Sequence, residues 1–91
     1  MENTASVRIG QIVKSKNGRD FGKVFLIYKI YDEQYVGIIN GVNRTIAKPK
    51  KKKLKHLMVY KDIIDGIETK DSGKYQFNDA YIRRVLKPFN K

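Results

Sequence analysis

The 91-residue chain contains no cysteine. That excludes a disulfide framework and any thiolate metal site. It fits a reducing compartment, and the cytoplasm is the expected location. Only one histidine occurs, His56, so a site needing a second imidazole cannot form. No apolar run approaches the roughly 20 residues that a membrane-spanning helix needs. The first ten residues, MENTASVRIG, show no positive flank followed by an apolar stretch, so no secretory leader is expected. From Gln34 to Lys61 there is no Asp and no Glu.

What is present is strongly basic. The formal charge is +11 and the sequence pI is about 10.0. Such an excess repels itself in a compact state, and it points to a polyanionic partner. Nucleic acid is the first candidate and an anionic membrane surface the second. With 41% hydrophobic residues, the chain is too apolar to stay disordered. Its length allows one small domain with a modest core and little room for a deep catalytic cleft.

Local patterns predict mainly β structure. Val7 to Lys14 reads as a strand, and Asn17-Gly18 within SKNGRD is a tight-turn signal. From Val24 to Tyr31 both alternating faces are largely apolar, as expected of a central strand. Tyr35 to Asn40 is the next strand, Asn40-Gly41 the next turn, and Val42 to Ala47 a fourth strand. The lysine block then forms a basic loop over 48–56, and Leu57 to Tyr60 is the last strand. Five short strands joined by tight turns predict a small, strongly bent barrel spanning 1–60. Residues 61–77 have no clear period and are expected to be a mobile connection, with one helical turn at Asp62 to Asp65. In 78–91, Asn78 reads as an N-cap and Asp79 as a first-turn acid, with an apolar stripe of Tyr81, Ile82, Val85 and Leu86. Pro88 ends the pattern. A short helix, Asp79 to Lys87, should pack on an open end of the barrel.

The charge is segregated. The acid-free window holds Arg44, Lys48, Lys50, Lys51, Lys52, Lys53, Lys55 and Lys61. A lysine run is often only a solvated segment, and a nuclear import signal needs the same residues. Here strand-like segments flank it on both sides, so the run is pinned and loses less entropy on binding than a tail would. Pro49 stiffens it further. The first turn adds Lys14, Lys16, Arg19 and Lys23. If both connections share one rim, they form a continuous patch suited to a folded phosphate backbone.

Enzymatic signatures are weak. Gly18 to Val24 superficially resembles a phosphate-binding loop, but three residues rather than four separate its glycines, and Val24 stands where Ser or Thr should hold magnesium. Asp32 and Glu33 are adjacent and diverge, so they make no hydrolytic pair. No catalytic residue, metal or cofactor is expected. His56 reads as a polar or stacking residue beside the lysines. Phe21 and Tyr35 flank turns and are candidates for stacking on bases.

Three stretches in order, IGQIVKSKNGRDFGKVFLIYKI, NGVNR and KPKKKKLKHL, resemble the KOW-containing ribosomal L14e/L6e/L27e-like proteins, in particular their short bacterial RNA-binding members. The match runs over Gly10 to Leu57. The resemblance implies an SH3-like barrel that binds structured RNA, usually ribosomal RNA. Gly18, Gly22 and Lys23 match its glycine-lysine core, and Arg44 with the PKKKKLKH segment matches its second basic element. Residues 61–77 and the terminal helix depart from the family pattern in length.

These readings combine into a non-enzymatic RNA-binding module associated with translation. Its expected contacts are Lys16, Arg19, Lys23, Arg44, Lys48, Lys50, Lys51, Lys52, Lys53, Lys55 and His56, with Phe21 and Tyr35 as stacking residues. A duplex-DNA binder has the same footprint. The alternative is a protein-interaction module that uses the aromatic turns and the terminal helix.

Overall fold

The computed structural model describes residues 3–64 and 78–90. The fold is mainly β: one five-stranded antiparallel sheet and a short C-terminal helix. The strands are β1 (Gln11–Ser15), β2 (Val24–Ile30), β3 (Tyr35–Ile39), β4 (Lys50–Lys53) and β5 (Leu57–Ile63), and they lie side by side in the order β4-β3-β2-β1-β5. The helix, α1, is Asp79–Leu86. Among the described residues no helix is long and apolar enough to cross a membrane.

The connection between β4 and β5 dictates the shape. They are the two outer strands, yet only the three-residue 3-10 turn Leu54–His56 separates them. A flat sheet would hold them about 19 Å apart, at about 4.8 Å per strand step. The backbone from Lys53 to Leu57 can span at most about 14 Å. The sheet therefore curls so that its edges approach at this turn, without pairing into a closed barrel. Two backbone hydrogen bonds clamp the corner. Leu54 N donates to Gln34 O at 2.8 Å, and Lys16 N donates to His56 O at 2.9 Å.

The two apolar faces of β2 are both used. Phe25 and Ile27 join Val7, Val13, Val36, Ile38, Leu54 and Leu57 in one core. Val24, Leu26 and Tyr28 join Ile12, Ile39, Ile82 and Leu86 in the other. Leu54 and Leu57 thus anchor the corner, as a tethered basic segment requires. An irregularity between Ile27 and Lys29 shifts the register, and exposure begins at Lys29.

The helix begins as its sequence predicts. Asn78 Oδ1 accepts from Tyr81 N at 2.9 Å. Eight residues are too few to be helical alone in water. Burial of Ile82 and Leu86 stabilises the helix by roughly 3–6 kcal/mol, since both side chains are fully covered. The helix lies on the face of β1, β2 and β3 rather than at the expected open end, because that face carries the apolar residues matching its stripe. Asp79 Oδ1 also accepts from Ile46 N at 2.9 Å. Gly41 lets the helix approach: a Cβ there would collide with Asp79 O and come within 2.9 Å of Arg83 Cγ, and its φ is +79°.

Several expected boundaries differ. The strand expected at Val7 begins only at Gln11, because Arg8–Gln11 forms a turn in which Gln11 Oε1 accepts from Arg8 N. Residues 42–47 are not a strand. Asn40 Oδ1 takes up the N–H groups of Val42 and Arg44, and Asp79 takes up that of Ile46, so no ladder forms. The fourth strand is the lysine run itself, which was expected as a loop over 48–56. The last strand continues to Ile63, so Asp62 lies in a strand and not in a helical turn. Asp65, and the rest of the expected mobile connection from 65 to 77, lie outside the described residues. The helix ends at Leu86, with Lys87 as its C-cap.

Candidate nucleic-acid interface

Four consecutive lysines are poor strand formers by propensity. They form β4 because β3 offers an unpaired edge, and the pairs are Tyr35 with Lys53, Val36 with Lys52, Gly37 with Lys51 and Ile38 with Lys50. Charge on an outer strand also discourages pairing with a second chain. Strand alternation then sends the lysines two ways.

Lys51 and Lys53 point over tyrosines. Lys51 Nζ lies 4.9 Å from the Tyr35 ring centroid and 5.8 Å from that of Tyr31. Lys53 Nζ lies 5.8 Å from Tyr35. Tyr31 can lie across the strand because Gly37 is beneath it, where a Cβ would sit 2.9 Å from the Tyr31 hydroxyl oxygen. The ring quadrupoles hold the ammonium groups in place. Tyr35, expected to stack on bases, already carries two lysines. The nearest turn is built by Asp32, whose Oδ1 accepts from Gln34 N and Tyr35 N at 2.8 Å each. Those two bonds hold its carboxyl below the usual carboxylate range, and Lys51 adds to the effect.

Lys52 reaches the opposite way, to the β1–β2 connection. Its Nζ donates to Asn17 O at 3.4 Å. Asn17 Nδ2 in turn donates to His56 Nδ1 at 2.8 Å, which requires an unprotonated Nδ1. Desolvation and then the charges of Lys55, Lys52, Lys53 and Lys16 lower the His56 pKa below its ordinary value. Lys16 and the lysine strand therefore meet around Asn17 and His56. Lys16 and Arg19 lie exposed in that connection, as do Lys48 before β4 and Lys55 in the 3-10 turn. Phe21 is 69% exposed.

Arg44 and Lys23 have another setting. Asp20 is only 4% exposed. Its Oδ2 accepts from Arg44 Nε at 3.0 Å and lies 2.9 Å from Nη2, while its Oδ1 accepts from Asn43 Nδ2 at 3.3 Å. Lys23 Nζ stands 3.8 Å from the same carboxylate. Burial alone would raise the Asp20 pKa. The Arg44 and Asn43 hydrogen bonds, with the charges of Arg44 and Lys23, outweigh it and hold the pKa low. Arg44 thus staples two loops, and the residue expected to contact phosphate here pairs with a buried carboxylate while its own side chain stays partly exposed.

Tyr31, Lys29 and Asn17 belong to the surface but escaped sequence reasoning. Lys29 lies 5.9 Å over the Tyr28 ring. In the residue order Tyr31 marks only the end of the central strand, and Asn17 only a turn. Among the described residues no three His, Cys, Asp or Glu side chains are grouped to hold a metal. No protein-family model and no curated protein matches the chain.

Proposed function

We propose that this chain is a cytoplasmic, non-enzymatic RNA-binding module associated with translation, which docks electrostatically on structured RNA. One observation carries the reading. Four successive lysines are held in a folded strand, and among the described residues none of them pairs with a carboxylate. Ion pairs there all go to Asp20. The lysines are spaced by the strand, so binding costs less ordering entropy than in a flexible tail. Lys16, Arg19, Lys55 and His56 extend the charge across the corner. Counterion release from phosphates drives association, and shape rather than base sequence selects the RNA. The resemblance to KOW-type ribosomal proteins names ribosomal RNA as the substrate class.

A salt titration tests this. With about five phosphates engaged, log affinity against log salt should fall with a slope of about −3.5 to −4.5. A slope near zero overturns the mechanism. Reversing the charges of Lys50 to Lys53 should abolish binding while the fold persists. Equal-length RNA and DNA competitors separate the duplex-DNA reading. The exposed Phe21 and Val42 favour one rival, a protein-interaction module, and such a partner would remain bound at high salt.

A further inference from the structure

Phe21 and Val42 are each 69% exposed, and they stand on two loops that Asp20 ties together through Asn43 and Arg44. The second loop is stiffened from within, since Asn40 Oδ1 accepts from Val42 N at 2.9 Å and Arg44 N at 3.1 Å. Between this loop and α1 with its following turn lies a cleft of about 310 Å³. That is the small end of the range for ligand pockets. No acid lines it. Lys23, Arg83 and Lys87 supply three cations, Val24 and Val42 apolar surface, and Asn90 an amide.

Much of the donor capacity is open. Arg83 Nη1 donates to Gly41 O at 2.6 Å, which leaves other guanidinium N–H groups. Lys23 sits at 3.8 Å from Asp20, with its side chain 53% exposed, so the carboxylate holds it loosely. Asn90 Nδ2 donates to Leu86 O at 3.3 Å, leaving Oδ1 as an acceptor. The complementary ligand has an anionic group, an apolar body and a donor edge. An unstacked nucleotide has all three, and single-stranded bulges are where proteins find such nucleotides in RNA.

We infer that this cleft receives one unstacked nucleotide of the bound RNA, with its phosphate on Lys23, Arg83 and Lys87 and its base against Val42. The inference rests on the RNA-binding reading. It adds to the shape-selective docking of the lysine strand a specific preference for an interrupted helix. Lys23 joins the two regions, because its loop also carries Arg19 and Phe21.

Two RNA hairpins that differ only by one unpaired nucleotide in the stem make the test, with anisotropy measured at fixed salt on the full chain. The protein should bind the bulged hairpin roughly tenfold more tightly, about 1.4 kcal/mol. K87Q combined with N90A should reduce that ratio to within about twofold and leave stem binding intact. Both residues are exposed, Arg83 is left in place because it supports Gly41, and a thermal melt checks the fold. K51Q with K53Q should weaken both hairpins equally and preserve the ratio. Equal binding of the two hairpins overturns the inference, as does a cleft variant that keeps the preference or weakens both hairpins alike. In these cases electrostatic docking on the lysine strand still stands. Binding to neither hairpin removes the RNA reading, and the inference falls with it.

Discussion

Arg44 and the lysines of β4 carry the same charge and belong to one acid-free stretch, but the fold uses them in opposite ways. Arg44 turns inward to a buried carboxylate and joins two loops. Lys51 and Lys53 turn outward over tyrosine rings. An ion pair whose carboxylate is buried cannot lose one member without leaving groups poorly solvated, whereas an exposed cation that loses its neighbour is simply rehydrated. The contrast separates charge that holds the fold from charge left on its surface. Counting basic residues along the sequence does not make this distinction.

The most damaging way to probe the contrast is to remove Asp20. D20A should destabilise the protein by about 2–4 kcal/mol in urea unfolding, since Arg44 and Asn43 lose their acceptor. A loss under about 0.5 kcal/mol, the size typical of surface pairs, would make the staple a surface ion pair. On the other side, K51Q with K53Q should leave unfolding free energy unchanged within about 1 kcal/mol. It should weaken RNA binding roughly 10-fold or more, with the salt slope shallower by about 1.4–1.8 for two lost phosphates. An unaltered slope would place the phosphate contacts elsewhere.

Acid sharpens the comparison further. The folded-state pKa of Asp20 is held below 3.8. The stability it contributes is therefore present above the unfolded value and is lost as pH falls through the folded one. D20N should flatten the acid side of the stability profile below about pH 4, while K51Q with K53Q should touch it only slightly, through the charge that Lys51 lends to exposed Asp32. The smallest effect concerns His56. Its pKa is lowered in the protein alone, and phosphate beside the ring would raise it. RNA affinity should therefore rise modestly as pH falls from 7 to 6, and H56Q should remove that rise. A wild-type affinity that is flat over this interval counts against phosphate at His56.

Some of this arrangement is legible in the residue order. Val24 to Tyr28 is apolar on both faces, which only a covered central strand tolerates, and it is buried throughout. Asn78 announces the helix through a side chain that can reach its own first turn. The lysine strand is harder to foresee. Nothing local favours extended pairing of Lys50 to Lys53, and the residue order alone places the fourth strand at 42–47. The edge of β3 decided otherwise, and loop-forming asparagines took up the backbone groups of the rejected segment. Asp20 reads as a turn residue, because its burial depends on Arg44, a distant partner in the chain. The cleft could not be foreseen either, since its cations come from the first hairpin and the last helix.

By itself the sequence determined the net charge, the acid-free window, the central apolar strand and the capped helix. Each follows from composition or from contacts within a few residues. Tertiary structure decided that the lysine run is a strand, that its side chains part toward tyrosines and toward Asn17, and that Arg44 faces inward. The physical reason is pairing at a distance. A backbone edge, a buried carboxylate and a ring face exist only after remote segments have met, and they determine whether a charge serves the fold or its surface.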